Sequence, residues 1–125
     1  MPEATDRREL GQRGEKLVRR YLRKLGYRHL VSNYAAAGGE LDLVMRDGRT
    51  IVFVEVKTRH DESFAPGEAA VNYHKQRHLT AAARYFIHRH KLHDYPCRFD
   101  VAIVITQDGK KAEIRHHVNA FRPAW

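Results

Sequence analysis

The chain has one cysteine, Cys97. No intramolecular disulfide can form, which suits a reducing compartment. Cys97 itself reads as a small residue opening a buried strand. No apolar run approaches membrane-spanning length, and the opening MPEATDRREL lacks the apolar stretch of a secretory signal. The expectation is a soluble, cytoplasmic protein with no membrane partner. There is no internal repeat, no low-complexity tract and no phosphate-cradling glycine loop, since Gly38-Gly39 precedes a strand-like run and not a helix. Ser32, Ser63 and Cys97 have no nucleophile context. The nine histidines include His74 and His78 at i, i+4, the group His88, His90 and His93, and the pair His116-His117. No third ligand stands at a spacing zinc would need, so most read as basic surface.

Acidic residues are also scarce, with 15 Asp and Glu against 23 Lys and Arg, for a net charge of +8. A basic surface favours a polyanionic partner through phosphate neutralisation and counterion release, which points to nucleic acid, DNA above all. At 125 residues the chain is one domain able to bury an ordinary core.

The informative stretch is Gly39 to Arg59. Two strand-like runs flank Asp47-Gly48, and Asp-Gly between such runs signals a type I′ hairpin. With Asp47 and Gly48 as the loop, Arg46 pairs with Arg49, Val44 with Ile51, Asp42 with Phe53 and Glu40 with Glu55. Alternation then puts Glu40, Asp42 and Val44 on one face with Ile51, Phe53, Glu55 and Lys57. Leu41, Leu43 and Met45 face the other way with Val52, Val54 and Val56. One face is aliphatic, and the other carries carboxylates and a lysine at one end. Glu55 and Lys57 lie about 7 Å apart along their strand.

Like charges gathered in a partly desolvated place need a proton or a cation to offset them. Mg²⁺ or Mn²⁺ does so with one or two carboxylates, waters and phosphate oxygens. A nearby lysine can contact a phosphate oxygen or orient the attacking water, which together equips a site for metal-assisted phosphodiester hydrolysis.

Around this hairpin the pattern predicts further elements. Residues 1–8 are polar and frayed, and a helix runs from about Glu9 to Leu25, closed by Gly26. Glu15 lies at the edge of its apolar stripe, away from Arg19 and Arg23. It is either a first-turn acid or a site residue. Tyr27 to Tyr34 is a strand, Ala35 to Gly39 a loose connection, and Arg59 to Gly67 a loop. A second helix starts near Pro66 to Glu68 and reaches about His90, with Leu79, Ala82, Ala83 and Phe86 as its core stripe. Lys75 is in line with that stripe, so it must snorkel, pair with an acid or face a site. Arg98 to Thr106 is a strand buried on both faces, with Asp100 in a structural ion pair. A last strand spans Ala112 to Val118, and a tail (119–125) packs its aromatics on the sheet or at an interface. The order is αβββαββ, an α/β fold with a mixed sheet of about five strands. The helices lie one on each face or both on one side, and the long helix serves as the crossover of any parallel pair.

Asp42 followed thirteen positions later by Glu55-Val56-Lys57 resembles the signature of the PD-(D/E)xK nuclease superfamily. More closely, the chain resembles the YraN family (UPF0102), bacterial proteins related to archaeal Holliday-junction resolvases. The matching blocks are Gly14-Glu15, Asn33, Gly39 to Leu43, Val52 to Lys57, Glu68-Ala69 with Lys75, and Arg98 to Val101. The resemblance implies a restriction-endonuclease-like fold and a Mg²⁺- or Mn²⁺-dependent endonuclease, acting on structured DNA in repair or recombination. Asp42, Glu55 and Glu15 would be the metal ligands, with Lys57 completing the catalytic set. Glu40, Lys75 and Arg59 would support the site or bind substrate, and junction cleavage would call for a homodimer. Relatives carry arginines where this chain has Ala35-Ala36-Ala37. A nuclease-like fold kept as a non-catalytic nucleic-acid-binding or protein-interaction module is the alternative.

Overall fold

The computed structural model describes the backbone of residues 4–60, 68–123 and 125, and the side chains among these from residue 8 onward. The order is α1 (Ala4–Lys24), β1 (Arg28–Ala36), β2 (Gly39–Asp47), β3 (Thr50–Arg59), α2 (Tyr73–Arg89), β4 (Cys97–Ile105) and β5 (Glu113–Phe121). This is the expected αβββαββ arrangement. The strands form one sheet in the order β1-β2-β3-β4-β5, antiparallel except for β3 and β4, which run parallel with α2 as their crossover.

The helices cover opposite faces. Val18 and Leu22 of α1 pack on Leu43, Met45, Val52, Val54, Ala102 and Val104. Leu79, Ala82, Ala83 and Phe86 of α2 pack on Leu41, Val44, Ile51, Phe53 and Phe99. The sheet is thus a hydrophobic slab buried on both sides, and only its strand ends and edges reach water. Gly26, at φ +97°, ends α1 as expected, with the Tyr27 amide donating to the Leu22 carbonyl at 3.0 Å.

Several boundaries differ from expectation, each for a local reason. Helix α1 begins at Ala4 and not near Glu9, so residues 4–8 are helical. Helix α2 begins at Tyr73 because Asn72 caps it, its side chain accepting from the Lys75 amide at 2.8 Å. Glu68, expected at the helix start, lies in a turn and binds Arg115 and His117 of β5. Residues 61–67, most of the expected loop and part of the expected helix start, lie outside the described residues. The connection after β1 is tight: Ala36 pairs with Gly39, and Ala37 (φ 53°) and Gly38 (φ 78°) take the positive angles of a type I′ turn.

Strand β5 runs to Phe121, beyond the expected Val118. A register shift opposite Phe99 to Val101 lets Asp100 accept from the Asn119 amide at 2.9 Å. Phe121 then stacks on Phe99 at 4.7 Å, with Trp125 5.8 Å from the same ring. The tail's aromatics pack on the sheet. Asp100 is 1% exposed and receives Arg98 Nε at 3.0 Å and His116 Nε2 at 2.8 Å. Arg98 also donates to the Tyr27 hydroxyl at 2.7 Å, so the buried charge is satisfied on every side.

The hairpin register also differs from expectation. Asp47 pairs with Thr50, which makes Gly48-Arg49 the two-residue loop. Only its first residue has positive φ (Gly48, 60°), the pattern of a type II′ turn. Each pair therefore moves by two along β3, so Val44 faces Phe53 and not Ile51. The loop length is unchanged, so the face of each β3 side chain is as expected.

Candidate active site

Moving the register by two matters because continuing it one step sets Asp42 opposite Glu55, in place of Phe53. The ladder stops at Leu43 and Val54, and the Asp42 carboxylate takes over the next bond, Oδ2 accepting from the Val56 amide at 2.9 Å. On the other side Asn33 of β1 stands opposite Asp42, between the pairs Ser32–Leu43 and Tyr34–Leu41. Asn33 adopts φ 53°, which breaks the alternation. Leu41 accordingly packs on the α2 side with Val44, and not on the aliphatic face with Leu43 and Met45. An irregular step in two strands thus opens the sheet where the acids gather.

Two glycines set how closely the helices approach this opening. A Cβ on Gly14 of α1 would collide with Thr58 Oγ1 of β3. A Cβ on Gly39 of β2 would come within 2.5 Å of the His78 carbonyl of α2. Both positions require glycine for close approach. Glu15 follows the first contact and Glu40 follows the second. At the first contact the Thr58 hydroxyl is buried with no hydrogen-bond partner among the described residues.

The electrostatics follow from this crowding. Asp42 is pushed up to about 8, by burial first, then by its hydrogen bond with Glu55 and the charge of Glu55, with the Val56 amide opposing and Glu15 adding. At neutral pH the Asp42 carboxyl therefore keeps its proton. Burial also raises Glu15; a hydrogen bond with Asn33 opposes the rise, and the charges of Glu40 and Glu55 add to it. Lys75 Nζ lies 3.3 Å from Glu55 Oε2, and the Glu55 side chain is only 11% exposed. Of the three readings open for Lys75, pairing with a site acid is the one realised.

Lys57 lies on the same β3 face, but its ammonium turns to the chain after the loop. It donates to the carbonyls of Glu68 at 3.2 Å and Ala70 at 2.7 Å. Burial lowers its pKa, Arg59 and Lys75 lower it further, and the charge of Glu55 opposes. Glu40 is exposed and pairs with Ala35 across β1–β2; on the other side the β2–β3 ladder stops at Leu43–Val54 in a register moved by two, so the expected pairing with Glu55 does not form. It acts on the cluster through its charge on Glu15. Arg59 is exposed and donates to its own neighbour's carbonyl, that of Thr58, at 3.0 Å.

The structure thus brings Asp42, Glu55, Glu15 and Lys75 together, keeps Lys57 beside them, and leaves Glu40 and Arg59 at the rim. Among the described residues, no three His, Cys, Asp or Glu side chains are grouped to hold a metal ion. The donor set in place is the pair Asp42 and Glu55, which fits a hard divalent ion that takes one or two carboxylates and fills its remaining positions with water and phosphate oxygens. The proton that Asp42 keeps occupies the electrostatic role a cation would take.

Asn33, one of the residues matching the family, has a role at this site that its place in the sequence did not assign. Its tolerance of positive φ at the end of a strand-like run was the available signal. Asn72 was likewise readable as a helix cap ahead of the α2 stripe.

A mixed sheet in αβββαββ order, with a helix on each face and acids where β2 and β3 part, is consistent with the restriction-endonuclease-like class of folds. Within it, the model of "Uncharacterised protein family UPF0102" matches residues 14–104, and the chain belongs to that family. A UPF0102 protein of Pelobacter propionicus is 45% identical over 122 residues, covering 96% of this chain and 87% of its own. Those of Geotalea uraniireducens (40% over 120 residues) and Geobacter metallireducens (43% over 118) cover 96% and 94% of this chain, and 94% and 96% of their own. The matched span includes Gly14, Glu15, Asn33, Asp42, Glu55 and Lys57.

Proposed function

We propose that this protein is a Mg²⁺- or Mn²⁺-dependent endonuclease hydrolysing phosphodiester bonds in nucleic acid, with branched DNA such as a four-way junction as the substrate to test first. The observation that carries the reading is the hydrogen-bonded pair Asp42 and Glu55, with Asp42 raised to about 8 beside a third acid and two lysines. Such a pair is unfavourable for stability alone, and perturbed carboxylates of this kind cluster at functional sites.

In this reading Asp42, aimed by the Val56 amide, and Glu55 hold the ion, and Glu15, positioned by Asn33, adds to the negative field. A bound divalent ion would activate water and neutralise the phosphate. Lys75, paired with Glu55 in this structure, would be placed to contact a phosphate oxygen of a bound substrate. Lys57 orients the attacking water or stabilises the pentacovalent phosphate after release from the two carbonyls that hold it. A second reading, a binding module without turnover, is favoured by that same engagement of Lys57.

The test is cleavage of a four-way junction, a flap, a duplex and a single strand with Mg²⁺, Mn²⁺ or EDTA. Metal-dependent cutting lost in Asp42→Asn and Glu55→Gln, with binding retained, supports the nuclease. Binding without cutting in every lane contradicts it and leaves the module.

A further inference from the structure

The solvent face of α1 carries Lys16, Arg19, Arg20, Arg23 and Lys24, which alone line a groove of about 420 Å³. Five of its neighbouring pairs are like-charged at i, i+3 or i, i+4, an arrangement that destabilises an isolated helix. None of the five has an acid partner among the described residues, whereas Arg98, Arg115 and Lys75 are all in ion pairs. Their field reaches β1: His29 is lowered by burial and then by the charges of Arg19 and Arg23. Lys16 and Arg19 also line a second groove, of about 310 Å³, with Gln12, Glu15, Ser32 and Asn33. The cationic face is therefore continuous with the carboxylate site through Glu15 and Asn33.

We infer that this face of α1 is the track for the sugar-phosphate backbone of a double-stranded arm of the substrate. The inference rests on the nuclease reading for its substrate, and adds where and in what form that substrate is held. The span from Lys16 to Lys24 is about 12 Å at 1.5 Å per residue. The phosphates of one strand rise about 3.4 Å apiece along the duplex axis, so a helix laid along that axis spans roughly three to four of them. Duplex is chosen over single strand because no aromatic ring lines this groove, and single strands are gripped by stacking bases on such rings. Long cationic side chains with nothing to stack on read charge and spacing, not bases.

The experiment measures binding of a labelled 20-bp duplex and of a single strand of the same length, in EDTA so that cleavage does not intervene. Salt is varied for wild type, for R19Q/R20Q/R23Q, and for a charge-matched control, R89Q/K110Q/K111Q, whose positions lie elsewhere on the surface. Each lost phosphate contact should lower the slope of log K against log salt by about 0.9. The α1 variant is expected to lose about two to three in slope and roughly tenfold or more in duplex affinity. The control is expected to stay near wild type. Equal losses in the two variants, no loss in either, no duplex binding by wild type, or a loss confined to the single strand would each overturn the track. Circular dichroism confirms that both variants fold. No cutting by the wild type with the α1 dependence intact would sink the nuclease reading alone, and cutting lost in Asp42→Asn with no α1 dependence would sink the track alone.

Discussion

Asp42 is the residue on which stability and function oppose each other. Its carboxyl is raised from the ordinary value to about 8 in the folded chain. Between about 4 and 8 the unfolded chain is ionised while the folded one keeps its proton, so this group's contribution falls as pH rises and levels off above 8. Asp42→Asn keeps an acceptor for the Val56 amide and removes the charge. It should raise the Tm, and by more at pH 8.5 than at pH 5, when thermal unfolding is followed in EDTA. An equal or opposite change at the two pH values would contradict the assignment. Asp100 behaves in the reverse sense. Burial pushes it up, but hydrogen bonds from His116, Arg98 and the Asn119 amide outweigh that and hold it below its ordinary value. Its contribution is present above about 4 and is lost as pH falls through the lowered value. Asp100→Asn, which leaves Arg98 without its buried anion, should cost about 3 kcal/mol at pH 7 by urea unfolding. The cost should shrink toward pH 3.

At the scale of elements, α1 and the sheet meet through a contact with no side chain on one side. Gly14→Ala would drive a methyl into Thr58 Oγ1, and overpacking of this kind costs about 1–3 kcal/mol. Because that hydroxyl has no partner to lose among the described residues, Thr58→Ala should cost little and should relieve most of the Gly14→Ala loss in the double variant. A strictly additive double mutant would show that the contact is not what requires glycine. The elements themselves were legible in the sequence, because the apolar stripes of α1 and α2 and the alternation of β3 are strong periodic signals. Register was less so. Asp47-Gly48 marked the turn, but pairing of Asp47 with Thr50 moved the loop by one residue, and no local propensity separates these two choices. The late start of α2 and the extension of β5 depend on the Asn72 cap and on Asp100 receiving the Asn119 amide. The latter joins residues 19 apart in the chain, beyond the reach of a windowed reading.

For the whole molecule, the arrangement separates charge. The sheet buries its aliphatic slab between two helices, collects its acids where β2 and β3 part, and α1 carries along its outside cations that have no acid partner among the described residues. In the proposed reading, a net charge of +8 around an acidic cluster would favour a polyanion, while the cluster itself would repel phosphate until a cation or proton offsets it. The residues were legible as candidates, but not their arrangement: the expected register set Glu40 opposite Glu55, and Lys75 was open to three readings. The direct opposition of Asp42 and Glu55 was hidden behind the turn. Whether Asp42 and Glu55 form a cation site decides the proposed function. Mn²⁺ binding followed by electron paramagnetic resonance at pH 8.5 tests it, comparing wild type with Asp42→Asn and Glu55→Gln. The wild type is expected to bind Mn²⁺ at a site that weakens at least about tenfold in each variant, in line with the loss of a charged ligand. Binding that is absent from the wild type, or unchanged in both variants, would contradict it.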